Sequence, residues 1–191
     1  MIAAASIIRP PQYNAILAAS HRLGFEMNAD VLTGALLRTR AAAKPNGRFL
    51  ELGTGCGLGT CWIAAGMNHG SSLVSVDNDP RVQAVAQQVL EGDQRISFVL
   101  RDGGEYLEMA DAAFDLIYAD AWPGKYSHLD QALRLLAPGG VYVIDDMLPQ
   151  PNWPDDHPPK VESLLKRLHA LDGFAVSFLS WSTGVVLATR R

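Results

Sequence analysis

The chain has 191 residues, 48% of them hydrophobic and 19% charged, a balance that suits a globular fold with a substantial core. A formal net charge of −4 with no basic run argues against a nucleic-acid-binding surface, and no apolar stretch is long enough to span a bilayer. Met1 to Ala5 are apolar, but Arg9, Pro10 and Pro11 cut that stretch off, so no signal-peptide layout is read and a cytoplasmic location is expected. Cys56 and Cys61 lie five apart, neither a zinc pair nor a redox Cys-x-x-Cys, and read as two small buried thiols.

Residues 12–22 and 28–43 are expected to be helical, the second on the spacing of Val31, Leu32, Ala35, Leu36 and Leu37. They form a helical cap over residues 1–44, ahead of a core at 45–191. The loop between them, 24–28, is a candidate lid or cofactor-facing segment, although Met27 also suits core packing. Lys44-Pro45-Asn46-Gly47 turns the chain into a first strand, Phe49-Leu50-Glu51-Leu52. Glycines follow at 53, 55, 57 and 59, and a helical pattern begins near Thr60. A strand, a glycine-rich turn and a helix N-terminus let backbone approach a ligand closely. The dinucleotide fingerprint needs glycines at relative positions one, three and six. Leu58 and Thr60 occupy the sixth position in the two registers, so NAD(H) is not expected. No lysine closes the turn as a P-loop requires. Glu51 before it would repel pyrophosphate and suit a cationic ligand.

Further strands are expected at 73–76, 96–100, 114–119 and 141–144, separated by helices at 80–90, 105–109 and 126–136. Residues 147–159, rich in proline, read as a loop. A long helix at 160–171 and strands at 174–179 and 184–189 follow. This alternation predicts a doubly wound α/β fold: a mostly parallel seven-stranded sheet covered on both faces, with an antiparallel edge. Ligands of such sheets bind at the C-terminal strand ends. Each parallel strand delivers an acid there: Glu51, Asp77, Asp102, Asp120 and the pair Asp145-Asp146. The five histidines show no paired spacing for a metal or a nucleophile relay, and read as structural or solvent-facing.

Glu-x-Gly-x-Gly-x-Gly resembles motif I of the class I methyltransferases that use S-adenosylmethionine. The order of the later acids is similar to that of the small-molecule, catechol-type O-methyltransferases, over residues 46–191. The resemblance implies methyl transfer to a hydroxyl of a small molecule. In it, Asp77 takes both ribose hydroxyls, Asn78 lies on the adenosine, Asp102 and Gly103 lie against the adenine, and Gly53, Thr54 and Gly55 approach the methionine moiety with Glu51 nearby. Asp120 is expected both as a cofactor-binding and as a catalytic residue. With Asp145 and Asp146 it would hold a divalent metal, Mg²⁺, and Lys125 is the candidate base. Asp146 stands where the family usually has asparagine. Lys125 follows Asp120 by five residues where the family's lysine follows by about three. Trp122 would either wall the acceptor pocket or simply pack. The rival readings are an aminopropyl transferase using the decarboxylated cofactor and a cofactor-binding module without turnover. The sequence leaves the oligomeric state open, a homodimer included.

Overall fold

The computed structural model describes residues 6–151 and 153–191; the apolar stretch Met1 to Ala5 lies outside them. Seven strands form one sheet in the order β3-β2-β1-β4-β5-β7-β6. They are β1 (Arg48–Leu52), β2 (Ser72–Asp77), β3 (Ile96–Leu100), β4 (Phe114–Ala119), β5 (Leu136–Ile144), β6 (Phe174–Leu179) and β7 (Val185–Arg190). The first five run parallel, and β7 pairs antiparallel with both β5 and β6. The helices are α1 (Tyr13–Leu23), α2 (Val31–Ala42), α3 (Leu58–Gly66), α4 (Pro80–Val89), α5 (Gly103–Met109), α6 (Leu129–Arg134) and α7 (His157–His169).

Strand side chains alternate between faces, and the central strands divide their apolar residues accordingly. Leu50, Leu52, Ile117, Ala119, Tyr142 and Ile144 pack with Leu107 of α5, Leu133 of α6 and Leu164 of α7. Phe49, Leu116, Tyr118, Val141 and Val143 point to the other face, against Leu37 of α2 and Ile63 of α3. Tyr13 and Ile16 of α1 pack with Trp62 of α3 and Val82 of α4. Side chains fix several helix starts. Asp30 accepts from Leu32 N at 2.7 Å, and Asp79 accepts from Arg81 N ahead of Pro80.

Several boundaries depart from expectation; α7, for one, starts at His157 rather than Lys160. The helix expected over 126–136 is reduced to α6, because His128 adopts a left-handed backbone (φ 56°) and starts it late. Strand β5 begins at Leu136 rather than Val141: Ala137 to Gly140 continue the strand, with a register shift against β4.

The α2–α3 crossing is closely fitted. A Cβ on Gly66 would lie 2.2 Å from the Arg38 carbonyl oxygen, which is backbone and cannot swing away. Gly66→Ala is expected to destabilise the fold by about 1–3 kcal/mol through overpacking, read by denaturant unfolding. An unchanged midpoint would show that the helices separate at no cost.

Candidate active site

Strand order reverses between β1 and β4, and the C-terminal ends of β2, β1, β4 and β5 surround a cavity of about 900 Å³. At its β2 end lies the glycine turn, with φ of 100° at Gly53, 51° at Gly55 and 96° at Gly57. These conformations cost an L side chain energy, and space forbids one as well. A Cβ on Gly53 would fall 2.8 Å from the Asp120 carbonyl oxygen. Asp77 braces the turn: its Oδ2 accepts from Gly55 N at 2.8 Å, and its Oδ1 from Asp79 N at 2.9 Å. A carboxylate has about four lone-pair sites, so Asp77 keeps acceptor capacity toward the cavity. Asn78, Gly53, Thr54 and Gly55 line the same end, with Phe25 and Met27 from the loop before α2.

Three residues expected near the cofactor do not line the cavity. Glu51 shares β1's α3-side face, is fully buried beneath the turn, and does not line the cavity. Its Oε2 accepts from Ser75 Oγ at 2.6 Å and from Thr60 Oγ1, while Oε1 has no partner. Burial outweighs those two hydrogen bonds and pushes its pKa up to about 8. Asp102 and Gly103 also lie outside the cavity lining. The Asp102 carboxylate accepts from Gly104 N at 2.8 Å and Glu105 N at 3.1 Å, capping α5.

The raised pKa of Glu51 sets a pH dependence. The folded state holds this proton more tightly than the unfolded chain, whose glutamate titrates near 4.5. Its stabilisation is therefore full at low pH and is lost as pH rises toward 8, by up to ~4 kcal/mol. Glu51→Gln is expected to flatten denaturant stability between pH 5 and 8, leaving the smaller slope due to Asp120. An unaltered slope would show that Glu51 ionises freely.

At the β4–β5 end lie Asp120, Lys125, Asp145 and Asp146. Burial, then the charge of Asp145, pushes the Asp120 pKa up to about 7 against the pull of Lys125. Lys125 is not a solvated lysine: it is 5% exposed, and its Nζ donates to the Asp145 carbonyl oxygen at 3.0 Å. Asp145 is committed within the fold. Its Oδ2 accepts from the Tyr118 hydroxyl at 3.0 Å, and its Oδ1 from Asp146 N at 2.8 Å and from Thr183 Oγ1. Asp146, with φ 66°, turns its carboxylate to the Trp153 indole N–H, 2.9 Å from each oxygen. The expected metal triad is thus not assembled: among the described residues no group of three His, Cys, Asp or Glu side chains is placed to hold a metal ion.

The comparisons agree with this architecture. Residues 50–147, more than half of the chain, match the family described as "Methyltransferase domain". The chain belongs to the class I methyltransferases. A Mycolicibacterium vanbaalenii protein provisionally named an O-methyltransferase is 31% identical over 140 residues, which take in 69% of this chain and 62% of the relative. The crystal structure of a Klebsiella pneumoniae protein, also provisionally named an O-methyltransferase, superposes with a TM-score of 0.84 at 26% identity, covering 97% of this chain and 92% of that one. The O-methyltransferase TomG of Streptomyces achromogenes, solved with S-adenosylmethionine, shares the fold at 21% identity, TM-score 0.83, over 97% of this chain and 92% of that one.

The chain also carries residues that sequence reasoning passed over. His157, read as structural or solvent-facing, lines the cavity from the first position of α7 and is 5% exposed. Its Nε2 is hydrogen-bonded to the Tyr126 hydroxyl at 2.8 Å, and its ring stacks on Trp153 with centroids 4.3 Å apart. The available signal was a histidine between Trp153-Pro154 and Pro158-Pro159, within the proline-rich stretch expected to be a loop. Trp122 both lines the cavity and packs edge-on against Tyr126 and His157, and remains 48% exposed.

Proposed function

We propose that this methyltransferase transfers the methyl group of S-adenosylmethionine to a hydroxyl oxygen of a small molecule. The observation that carries the reading is one continuous cavity running from the braced Asp77 carboxylate to the half-buried Asp120 and the buried Lys125. The cofactor fits this chemistry: Asp77 offers spare acceptor sites to two ribose hydroxyls, and the glycine turn admits close approach. When bound, the cofactor supplies an electrophilic methyl on its sulfonium.

The chain's own residues orient and deprotonate the acceptor. Asp120, ionised above about pH 7, takes the hydroxyl proton on a carboxylate oxygen as the oxygen attacks. Asp77 and the glycine turn would hold S-adenosylmethionine so that it gives its methyl to that oxygen and keeps the electron pair of the broken C–S bond on its sulfur. Lys125 supplies positive charge beside the developing oxyanion. Alignment of nucleophile and methyl inside the cavity supplies the remainder. No step is assigned to a metal, because Asp145 and Asp146 are engaged by Tyr118, Thr183 and Trp153.

The test incubates the protein with methyl-labelled S-adenosylmethionine and a panel of phenols and catechols. Labelled ether and S-adenosylhomocysteine are expected, and the decarboxylated cofactor should give no aminopropyl product. Turnover should persist in chelator. Loss of turnover restored by Mg²⁺ would show instead that the aspartates abandon their present partners for the ion. Transfer to nitrogen or carbon acceptors alone would overturn the oxygen assignment.

A further inference from the structure

We infer that His157 is a positioning residue that clamps together the two loops forming the acceptor end of the cavity. The inference rests on the methyl-transfer reading only for the word acceptor. One loop follows β4 and carries Trp122, Lys125 and Tyr126. The other follows β5 and carries Asp146 and Trp153. Among the described residues no backbone ladder joins them, and the bridge in the first loop is internal, between Pro123 and Ser127. The sheet secures the base of the first loop through the Tyr142 hydroxyl, which donates to the Gly124 carbonyl at 2.6 Å.

His157 spans the gap. It bonds the Tyr126 hydroxyl of the first loop at 2.8 Å, stacks on Trp153 of the second at an interplanar angle of 13°, and meets Trp122 edge-on with centroids 6.0 Å apart. Trp153 passes the constraint on, since its indole N–H holds both oxygens of Asp146. Asp146 is next in sequence to Asp145, whose carbonyl receives Lys125. The imidazole therefore fixes the spacing of the aromatic wall and, through Asp146 and Asp145, the seat of Lys125. It touches none of the groups assigned to the cofactor, so its loss should loosen one end of the cavity and spare the other. A ring held on three sides, and only 5% exposed, has little freedom to lose when an acceptor enters.

The experiment compares wild type, His157→Ala and His157→Gln, each saturated with S-adenosylhomocysteine, by amide hydrogen exchange and by calorimetry with the same ligand. In His157→Ala, exchange should rise about tenfold or more in residues 122–127 and 146–156, as local opening becomes easier, and stay unchanged at 53–59 and 77–79. Affinity for S-adenosylhomocysteine should hold. Glutamine offers Tyr126 an amide partner and Trp153 a planar group, so His157→Gln should restore most of the protection. Unchanged exchange in either loop, a rise spread equally to the glycine turn, or no rescue by glutamine would overturn the clamp. Failure of the wild type to bind S-adenosylhomocysteine would strike the cofactor reading instead, and the exchange comparison on unliganded protein would still decide the role of His157.

Discussion

Asp120→Asn is expected to lower kcat by about 10²–10⁴-fold while leaving cofactor affinity nearly unchanged. Asparagine keeps the size and polarity of the side chain but cannot take a proton. The wild-type carboxyl sits where burial and the Asp145 charge raise its pKa to about 7. The sign follows directly: the base form gains population as pH rises, so wild-type kcat should climb through about pH 7 and level off above it. The variant should lose that step together with its rate. Steady-state kinetics from pH 6 to 9 make the check. A variant with full kcat and an unaltered profile would remove Asp120 from the proton-transfer role and leave Lys125 as the remaining candidate.

The second large effect belongs to the other end of the cavity. Asp77→Ala is expected to weaken S-adenosylhomocysteine binding by 1.5–3 kcal/mol, about 10–150-fold, through loss of charge-assisted acceptors. The same substitution strips Gly55 N and Asp79 N of their partners, so the turn itself loses its brace. Asp77→Asn retains one oxygen and should fall between wild type and alanine. Calorimetry on the three proteins decides, and equal affinities would mean that the ribose is held elsewhere.

Much of this arrangement could be read from residue order. Glycines at alternate positions after Phe49 to Leu52, and Asp77 after a short apolar run, depend on local chemistry that neighbours do not override. Their placement at the C-terminal strand ends follows from the alternation of strands and helices. The residues that lie away from their expected places share a different cause. Glu51 and Asp102 were legible as strand-end acids, but the direction of a single side chain depends on pleat phase and on nearby donors. Thr60 and Ser75 turn one inward, and the amides of Gly104 and Glu105 claim the other. Asp145 was legible as half of an acid pair. Its partner Thr183 lies 38 residues away in the turn between β6 and β7, a distance over which periodicity carries no information. His157 was missed because its importance lies in contacts with Tyr126 and Trp153 across two loops.

The order β5-β7-β6 bears on how the molecule is assembled during synthesis. Strand β6 emerges before β7, yet among the described residues its one neighbour in the sheet is β7. A nascent chain that has emerged only as far as β6 therefore holds an unmatched ribbon, while β5 presents a bare margin. Arrival of β7 fills both vacancies at once. The turn that carries it also brings Thr183 to Asp145, and joins Thr183 O and Gly184 O to the amides of Leu148 and Met147. The closing of the sheet and the anchoring of Asp145 are thus one late event, and no shorter nascent chain holds both.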